Sequence, residues 1–383
     1  MSLRDYKTIG ERRKLMEKIT KVSFRSIGIY PNELEKASLR NCENMIGATS
    51  VPLGIAGPLK LRTQNQELRT YYLPLATTEG ALIASINRGC KAIAESGGAT
   101  VDSHRVGATR GPVFRVKDLQ ESNKLYTYLS THLEELKKVA EKTSHHLKLI
   151  KLLTRGVGKY RFVRFVFDTD DAMGMNMVTI ATEALVKFIE KKMGVPCLSI
   201  AGNFDIDKKP SWLNAIENRG IKVWAETTLS SKVISTVLKT SSKGIYEVWL
   251  AKCMIGSALA GSLGFNAQYA NVVAAIFLAT GQDLGHVGEG SIGITTTEIV
   301  EGKDLYINVC MPDLMVGTVG GGTGLPTQKE SLEILGVLGG NEGKNAQMFA
   351  EIIGAAVLAG EISLLASLAE GSLASAHQKL ARG

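Results

Sequence analysis

Five cysteines, Cys42, Cys90, Cys197, Cys253 and Cys310, form no CxxC pair. An odd count without close pairs argues against a disulfide framework or a cysteine zinc site and fits a reducing compartment, so a cytoplasmic location is expected. Only nine prolines accompany forty glycines, and aromatic residues make up 6% of the chain. No stretch combines dense basic residues with spaced aromatics, which argues against a nucleic-acid-binding module despite the net charge of +8. No uninterrupted apolar run reaches the ~18 residues of a membrane helix. The two nearest candidates, around 255–280 and 352–368, are broken by Gln268, Asn271 and Glu361 and read as buried helices. The opening residues are charged and carry no apolar core, so a signal peptide is not expected. GxSxG, GxxxxGK[ST], HExxH and the EF-hand loop are missing, as is a GxGxxG fingerprint opening a βαβ unit. Serine hydrolase, P-loop NTPase and zinc protease readings drop out, and a dinucleotide would have to bind without the usual Rossmann turn.

What remains is a chain of 383 residues, long enough for two or three domains, with 44% hydrophobic and 21% charged residues. Lysines and acids alternate through much of it, as in Glu134-Glu135-Leu136-Lys137-Lys138, which describes a mixed solvated surface. Residues 1–40 read as a charged helical element, and 43–59 as turns and short strands. Thr77-Thr78-Glu79-Gly80 opens a helix that a threonine can cap and that Gly97-Gly98 ends.

The middle of the chain carries the clearest topology. Strand alternation over 106–116, helical spacing over 119–142, strands at 147–153 and 161–167, a helix over 172–192 and a strand at 197–201 make a β-α-β-β-α-β order. That is the split βαβ, ferredoxin-like arrangement. It predicts an insert at 111–200 within a larger mixed α+β or α/β domain formed by 41–110 and 201–383. Beyond it the pattern predicts a polar turn at 205–210, one long small-residue helix around 255–279, strands near 293–298 and 306–309, a glycine turn and two C-terminal helices.

Several segments can carry chemistry, and each has a plainer reading. Asp171-Ala172-Met173-Gly174-Met175-Asn176-Met177 follows a β-type run and opens a helix, where free amides suit an anion; it equally reads as an Asp cap followed by core methionines. Gly317–Gly324 holds five glycines in eight residues, which lets backbone approach a ligand closely or makes a surface loop. Lys208 stands beside Asp207 in a turn and could face a developing oxyanion, or be one surface lysine among many. Asp283, in Gly281-Gln282-Asp283 after an apolar helix, could be half-buried or simply close a turn. His377 is a lone histidine near the C-terminus.

The combination is more specific than any part. ENMIGATSVPLGIAGPL (43–59), TTEGALIASINRGCKAI (77–93), ATRGP (108–112), DAMGMNM (171–177), DKKPSWLNAIENRG (207–220), KCMIGSALAGS (252–262), GQD (281–283) and GTVGGGT (317–323) together resemble the 3-hydroxy-3-methylglutaryl-CoA reductases, in that family's order and from about residue 40 onward. The similarity is to the class with the eukaryotic and archaeal enzymes, without the eukaryotic membrane anchor.

The resemblance implies an oxidoreductase that takes a CoA thioester to the alcohol mevalonate in two hydride transfers, with two NADPH, NADH being the alternative. It implies Lys208 at the carbonyl oxyanion, Glu79 as proton donor, Asp283 coupling the two, and His377 protonating the departing CoA thiolate from a mobile flap. Arg110, Lys252 and Asn271 match positions for the hydroxymethylglutaryl group, and Asn87 and Arg88 the CoA side. Asp171, Met173, Gly174, Met175, Asn176 and Gly320, Gly321 and Gly322 match the nicotinamide cofactor site, with Ser144 and His145 at the place that reads the 2′-phosphate. Active sites at the interface of a homodimer are implied too, with no metal, no nucleic acid and no membrane. Three departures bear on the pocket. Ala201 and Gln268 stand where a relative has serine and histidine, and Ser144-His145-His146 replaces a Ser-Arg-Phe. The lost arginine would have held a phosphate bidentately, a task left to Lys148, Lys151 or Arg382. Two rivals follow: a degradative relative running toward the thioester with NAD+, and a CoA- or nucleotide-binding protein without catalysis.

Overall fold

A computed structural model describes residues 3–63 and 67–371; His377 and Arg382 lie outside the described residues. In chain order the elements are α1 (Ile9–Thr20), β1 (Leu53–Arg62), β2 (Leu68–Ala76), α2 (Leu82–Glu95), β3 (Ala99–Arg110), β4 (Val113–Arg115), α3 (Leu119–Thr131), α4 (Leu133–Glu141), β5 (Lys148–Val157), β6 (Tyr160–Asp168), α5 (Met175–Met193) and β7 (Cys197–Ser199). There follow α6 (Trp212–Glu217), β8 (Arg219–Leu229), α7 (Ser231–Thr236), α8 (Ser242–Trp249), α9 (Ser257–Ala260), α10 (Tyr269–Thr280), α11 (Val287–Gly290), β9 (Ile294–Val300), β10 (Asp304–Leu314), α12 (Pro326–Ile334) and α13 (Lys344–Glu370).

The fold is mixed α/β with a largely antiparallel sheet. Strand β8 alternates buried and half-exposed residues, as a sheet with one covered face requires, and lies between β3 and β10, antiparallel to both. The long helix α13 covers that sheet. It is apolar enough to span a membrane by length and composition, but Phe349, Ile353, Val357, Ile362 and Leu365 are fully buried in the main core with Val223, Ala225, Ile307 and Val309. Each such side chain contributes roughly 1.5–3 kcal/mol by leaving water. Helix α2 crosses α13 so closely that a Cβ on Gly89 would lie 1.9 Å from the Ala359 carbonyl oxygen, so only glycine fits there.

A second core, with Phe114, Leu125, Leu136, Val163, Phe165, Val178 and Leu185, lies under α3, α4 and α5. Its strands run in the order β7–β4–β6–β5, each pair antiparallel. The elements between 113 and 199 follow one another as strand, helices, strand, strand, helix, strand.

The structure corrects several local expectations. The strand expected over 106–116 begins at Ala99 and breaks at Gly111-Pro112, where proline cannot donate to a ladder. Its earlier part pairs with β8 and its end, Ala108–Arg110, with β6, so one strand serves both layers. The helix expected over 119–142 breaks at His132, between α3 and α4. No threonine caps α2: it starts at Leu82 after Ala81 in the left-handed region, and the Thr77 hydroxyl accepts from the Glu79 amide instead. The single helix expected over 255–279 is three pieces: a π-helical turn at Leu250–Gly256, α9, and α10 after a loop through Gly264. Left-handed Gly261 ends α9, and the Ser262 hydroxyl bonds the loop on itself.

Candidate active site

Lys208 sits in a turn between β7 and α6 with its backbone in the left-handed region (φ 61°), which costs a non-glycine residue about 1 kcal/mol. Two contacts hold it there. Its amide donates to Glu289 Oε2 at 2.8 Å, and its ammonium lies 2.8 Å from Asp283 Oδ2. Asp283 follows α10, and its other oxygen accepts from the Gly285 amide. Burial works against this carboxylate, but the hydrogen bonds from Lys208 and Gly285 and the charges of His286 and Lys208 outweigh it and hold its pKa below the ordinary carboxylate range.

Beneath the pair lies a buried polar network. The fully buried Arg219 guanidinium donates to Asp207 (3.0 Å), Glu289 (2.5 Å) and Thr109 (2.7 Å). His286, also fully buried, bonds Glu289 through Nδ1. Arg110 lies between Asp205 (3.3 Å), Asp207 (3.5 Å) and Thr179 of α5. Asn214 links Asp313 to Arg164. Burial and the Glu289 charge push the Asp313 carboxyl well up, and burial with the Arg219 charge brings Arg164 down to about 10. Asp207, His286 and Glu289 bring potential metal-ligand atoms within 4.8 Å of one another, but Arg219 already bonds both carboxylates, where a cation would have to sit.

The glycine loop joins this end of the molecule. Gly281 and Gly322 approach so closely that a Cβ on either would lie 2.2–2.4 Å from the other's carbonyl oxygen. Gln282 accepts from the Gly317 amide and donates to its carbonyl, while the Thr318 amide donates to the Asp171 carbonyl. Residues 171–176 and 317–322 therefore lie side by side, and Ala172 and Val319 form a parallel bridge. Gly174 precedes α5 and offers no capping side chain, so the amides of Met175 and Asn176 face outward from a helix N-terminus. Among the described residues, nothing lies within 4 Å of where a Cβ would stand on Gly320 or Gly321. The Ser144 hydroxyl contacts Met177 Sδ at 3.6 Å, which sets Ser144 and the exposed His145 beside the same helix start. His146 pairs with Asp170 at 3.2 Å. Asp171 is buried and does not cap α5; its carboxylate accepts from the amides of Asn341, Gly343 and Ala346 and so caps α13.

The remaining predicted residues gather elsewhere. Glu79 is exposed and accepts from Asn271 Nδ2 at 3.2 Å. Asn271 lies in the first turn of α10, whereas Asp283 follows its last. The helical stretch from 271 to 280 alone spans about 14 Å, so Glu79 and Lys208 stand at opposite ends of one helix. Asn87 on α2 accepts from the Gly57 amide. Arg88 donates to Ser363 on α13 and pairs with Glu370 at 3.6 Å. Lys252 is exposed on the π-helical turn. Its charge acts on the buried Glu361, whose carboxylate accepts from the amides of Ala267 and Gln268 just before α10.

The model of the hydroxymethylglutaryl-coenzyme A reductase family matches residues 8–382. The chain belongs to that family. Relatives named 3-hydroxy-3-methylglutaryl-coenzyme A reductase are 51% identical in Methanocaldococcus jannaschii, over 97% of this chain and 92% of the relative, and 48% in Methanothermobacter thermautotrophicus, over 97% and 93%. A Dictyostelium discoideum relative is 42% identical over 96% of this chain and 67% of its own length. A class II reductase of Streptococcus pneumoniae, solved with NADPH, shares the fold at a TM-score of 0.68 with 20% identity, covering 94% of this chain and 97% of its own. The archaeal matches place the chain with the class I-like archaeal reductases, and it is an oxidoreductase of that type.

Within this family member, two departures have visible consequences. Gln268 donates through Nε2 to the Gly360 carbonyl at 2.6 Å, so its amide is tied into α13. Ala201 is exposed, and its backbone is bonded by Ser199. The sequence reading missed Arg219, His286 and Glu289. Arg219 lay inside the quoted DKKPSWLNAIENRG, and His286 and Glu289 lay just past GQD, but nothing in their spacing announces burial.

Proposed function

We propose that the chain reduces (S)-3-hydroxy-3-methylglutaryl-CoA to (R)-mevalonate and free CoA with two NADPH, in the mevalonate route to isoprenoids, as a cytoplasmic enzyme. The observation that carries the reading is the Lys208–Asp283 pair at 2.8 Å, because it holds an ammonium on the segment that joins α10 to the glycine loop, where Gly320 and Gly321 stand open. The nicotinamide cofactor, when bound, supplies a hydride to the thioester carbonyl and, with a second molecule, to the aldehyde. Lys208 stabilises the negative charge that develops on the carbonyl oxygen, and it is preorganised to do so by Asp283 and Glu289. Glu79 donates the proton that makes the alcohol, and His377 protonates the CoA thiolate. Arg110, Lys252 and Asn271 receive the hydroxymethylglutaryl group; Asn87 and Arg88 lie on the CoA side.

The residues fit a dinucleotide. Outward amides at Met175 and Asn176, with Met173 and Gly174 before them, suit an anionic group; Gly320 and Gly321 leave space above them, and Gly322 holds the loop against Gly281. Ser144 and His145 complete the edge, with Lys148 available for a 2′-phosphate. Asp171 serves this site by tying it to α13. The layer of β4–β7 is the ferredoxin-like cofactor-binding insert (111–200) of a larger substrate domain (41–110 and 201–383), with 1–40 as an N-terminal helical element. The string Gly288–Gly293 carries GxGxxG letters, but it runs from a helical turn into β9, the reverse of the strand-to-helix order that dinucleotide binding uses.

The separation of Glu79 from Lys208 along α10 supports a homodimer whose active sites each take Glu79 from one subunit and Lys208 from the other. The test of the function is oxidation of NADPH and NADH followed in parallel with 3-hydroxy-3-methylglutaryl-CoA. Faster NADPH oxidation with mevalonate as product is the expected result. A clear NADH preference would favour the degradative direction, and no oxidation by folded protein would leave only a binding role.

A further inference from the structure

His286 is the member of the buried network with an open hydrogen-bonding atom toward the reacting pair. Its ring is fully buried. Nδ1 is bonded to Glu289, while Nε2 is buried without a hydrogen-bond partner among the described residues. That nitrogen faces Asp283 Oδ2 at 3.7 Å and Asp207 Oδ1 at 3.9 Å. Asp283 Oδ2 is the oxygen that holds the Lys208 ammonium, and the second oxygen of Glu289 holds the Lys208 amide. Lys208, Glu289, His286 and Asp283 therefore close a ring in which the lysine is gripped at its backbone by one side and at its ammonium by the other.

The charged groups around the ring come from four elements. The 205–208 turn brings Asp207 and Lys208, the start of β8 brings Arg219, β10 brings Asp313 behind Arg219, and the histidine's own segment brings Asp283 and Glu289. A neutral ring that donates Nδ1–H to Glu289 would turn an Nε2 lone pair toward two carboxylates. A ring with protons on both nitrogens donates toward both sides. We propose that His286 is a positioning residue for the Lys208–Asp283 pair: carrying both protons it draws Asp283 toward the buried network and fixes Lys208 at the carbonyl, and losing one proton it repels Asp283 and loosens the lysine. This rests on the reading that Lys208 acts on the substrate.

The experiment is the pH dependence of kcat and KM for the parent and for His286→Gln, between about pH 5 and about pH 8, the range in which histidine charge changes. His286→Gln is expected to lower kcat by up to about a hundredfold, the scale of a misplacement near 1 Å, with KM for the CoA thioester within about twofold. On the proposal the parent's kcat falls as the ring loses a proton, and the variant's kcat does not show that fall. Unchanged kcat and an unchanged profile overturn the proposal; so does a lower kcat with the parent's profile intact, because that is a merely structural effect. If His286→Gln does not fold, nitrogen-15 histidine spectra of the parent at neutral pH decide. A solvent-protected ring with two N–H protons supports the proposal, and a protected ring with one overturns it. Parental turnover in Lys208→Ala would instead sink the reading of the lysine itself, and is thereby distinguishable.

Discussion

The two ends of α10 are built differently. At the C-terminal end, Lys208 and Asp283 rest on a buried lattice in which Arg219, Glu289 and His286 have no exposed surface. At the N-terminal end, the exposed Glu79 carboxylate accepts from Asn271 at 3.2 Å. The first end is preorganised inside one chain, where low dielectric strengthens each charge. The second presents its acid and the exposed Lys252 toward whatever completes the site. An oxyanion partner must be in place before charge develops, whereas a proton donor can be set by substrate and a second subunit. With Lys208 at the oxyanion and Glu79 as the proton donor, as proposed, the contrast is a division of labour along one helix.

The largest effect is expected from attacking the buried end. Arg219→Ala leaves Glu289 without its guanidinium partner and Asp207 with Arg110 at 3.5 Å, and removal of one partner from a buried ion pair costs about 3–5 kcal/mol. Urea denaturation should show that loss, together with loss of turnover. Asn271→Ala, which removes one contact to an exposed carboxylate, should cost under about 1 kcal/mol. Equal losses at both ends would break the comparison.

A sharper test asks whether the ends meet across subunits. Lys208→Ala and Glu79→Gln should each lower turnover by about 100- to 1000-fold. Co-expressed with different tags, half of randomly paired dimers are mixed, and each mixed dimer has one intact site of its two. Recovery to about a quarter of the parent activity is therefore expected. If purified mixed dimers stay as inactive as the single variants, both groups act within one chain.

Much of this was legible in the residues because periodicity and glycine report local backbone. The elements over 113–199 and the burial of the 352–368 segment followed from spacing alone, and the motif order carried the family. Breaks in periodic segments were less legible: His132 and the Gly261–Gly264 loop interrupt helical spacing without proline. Asp171 reads as a cap for the helix that follows it, yet it caps α13, whose first residues lie more than 170 positions later. Arg219 at the start of β8 meets His286 and Glu289 on the turns after α10, which pack against β10, and such long-range packing leaves no local signature.

The smallest expected effect is electrostatic and has a definite sign. The Asp283 carboxyl is held below its ordinary range, with Lys208 as the chief stabilising hydrogen-bond donor. A lowered folded-state pKa contributes stability that is present above the unfolded value, about 3.9, and is lost as pH falls through the folded value. The contribution is modest, because the two side chains are 44% and 36% exposed and solvent screens them. Lys208→Ala should therefore be slightly less stable than the parent at pH 6, and the gap should close as pH drops below about 4. Asn271→Ala, which removes a neutral donor from the exposed Glu79 carboxylate at the other end, should show the smaller change through the same range. Thermal unfolding of the three proteins across that range checks both statements. A gap for Lys208→Ala that persists unchanged in acid would mean that the lysine stabilises by packing rather than by pairing, and the C-terminal end of α10 would then owe its order to Arg219 and Glu289 alone.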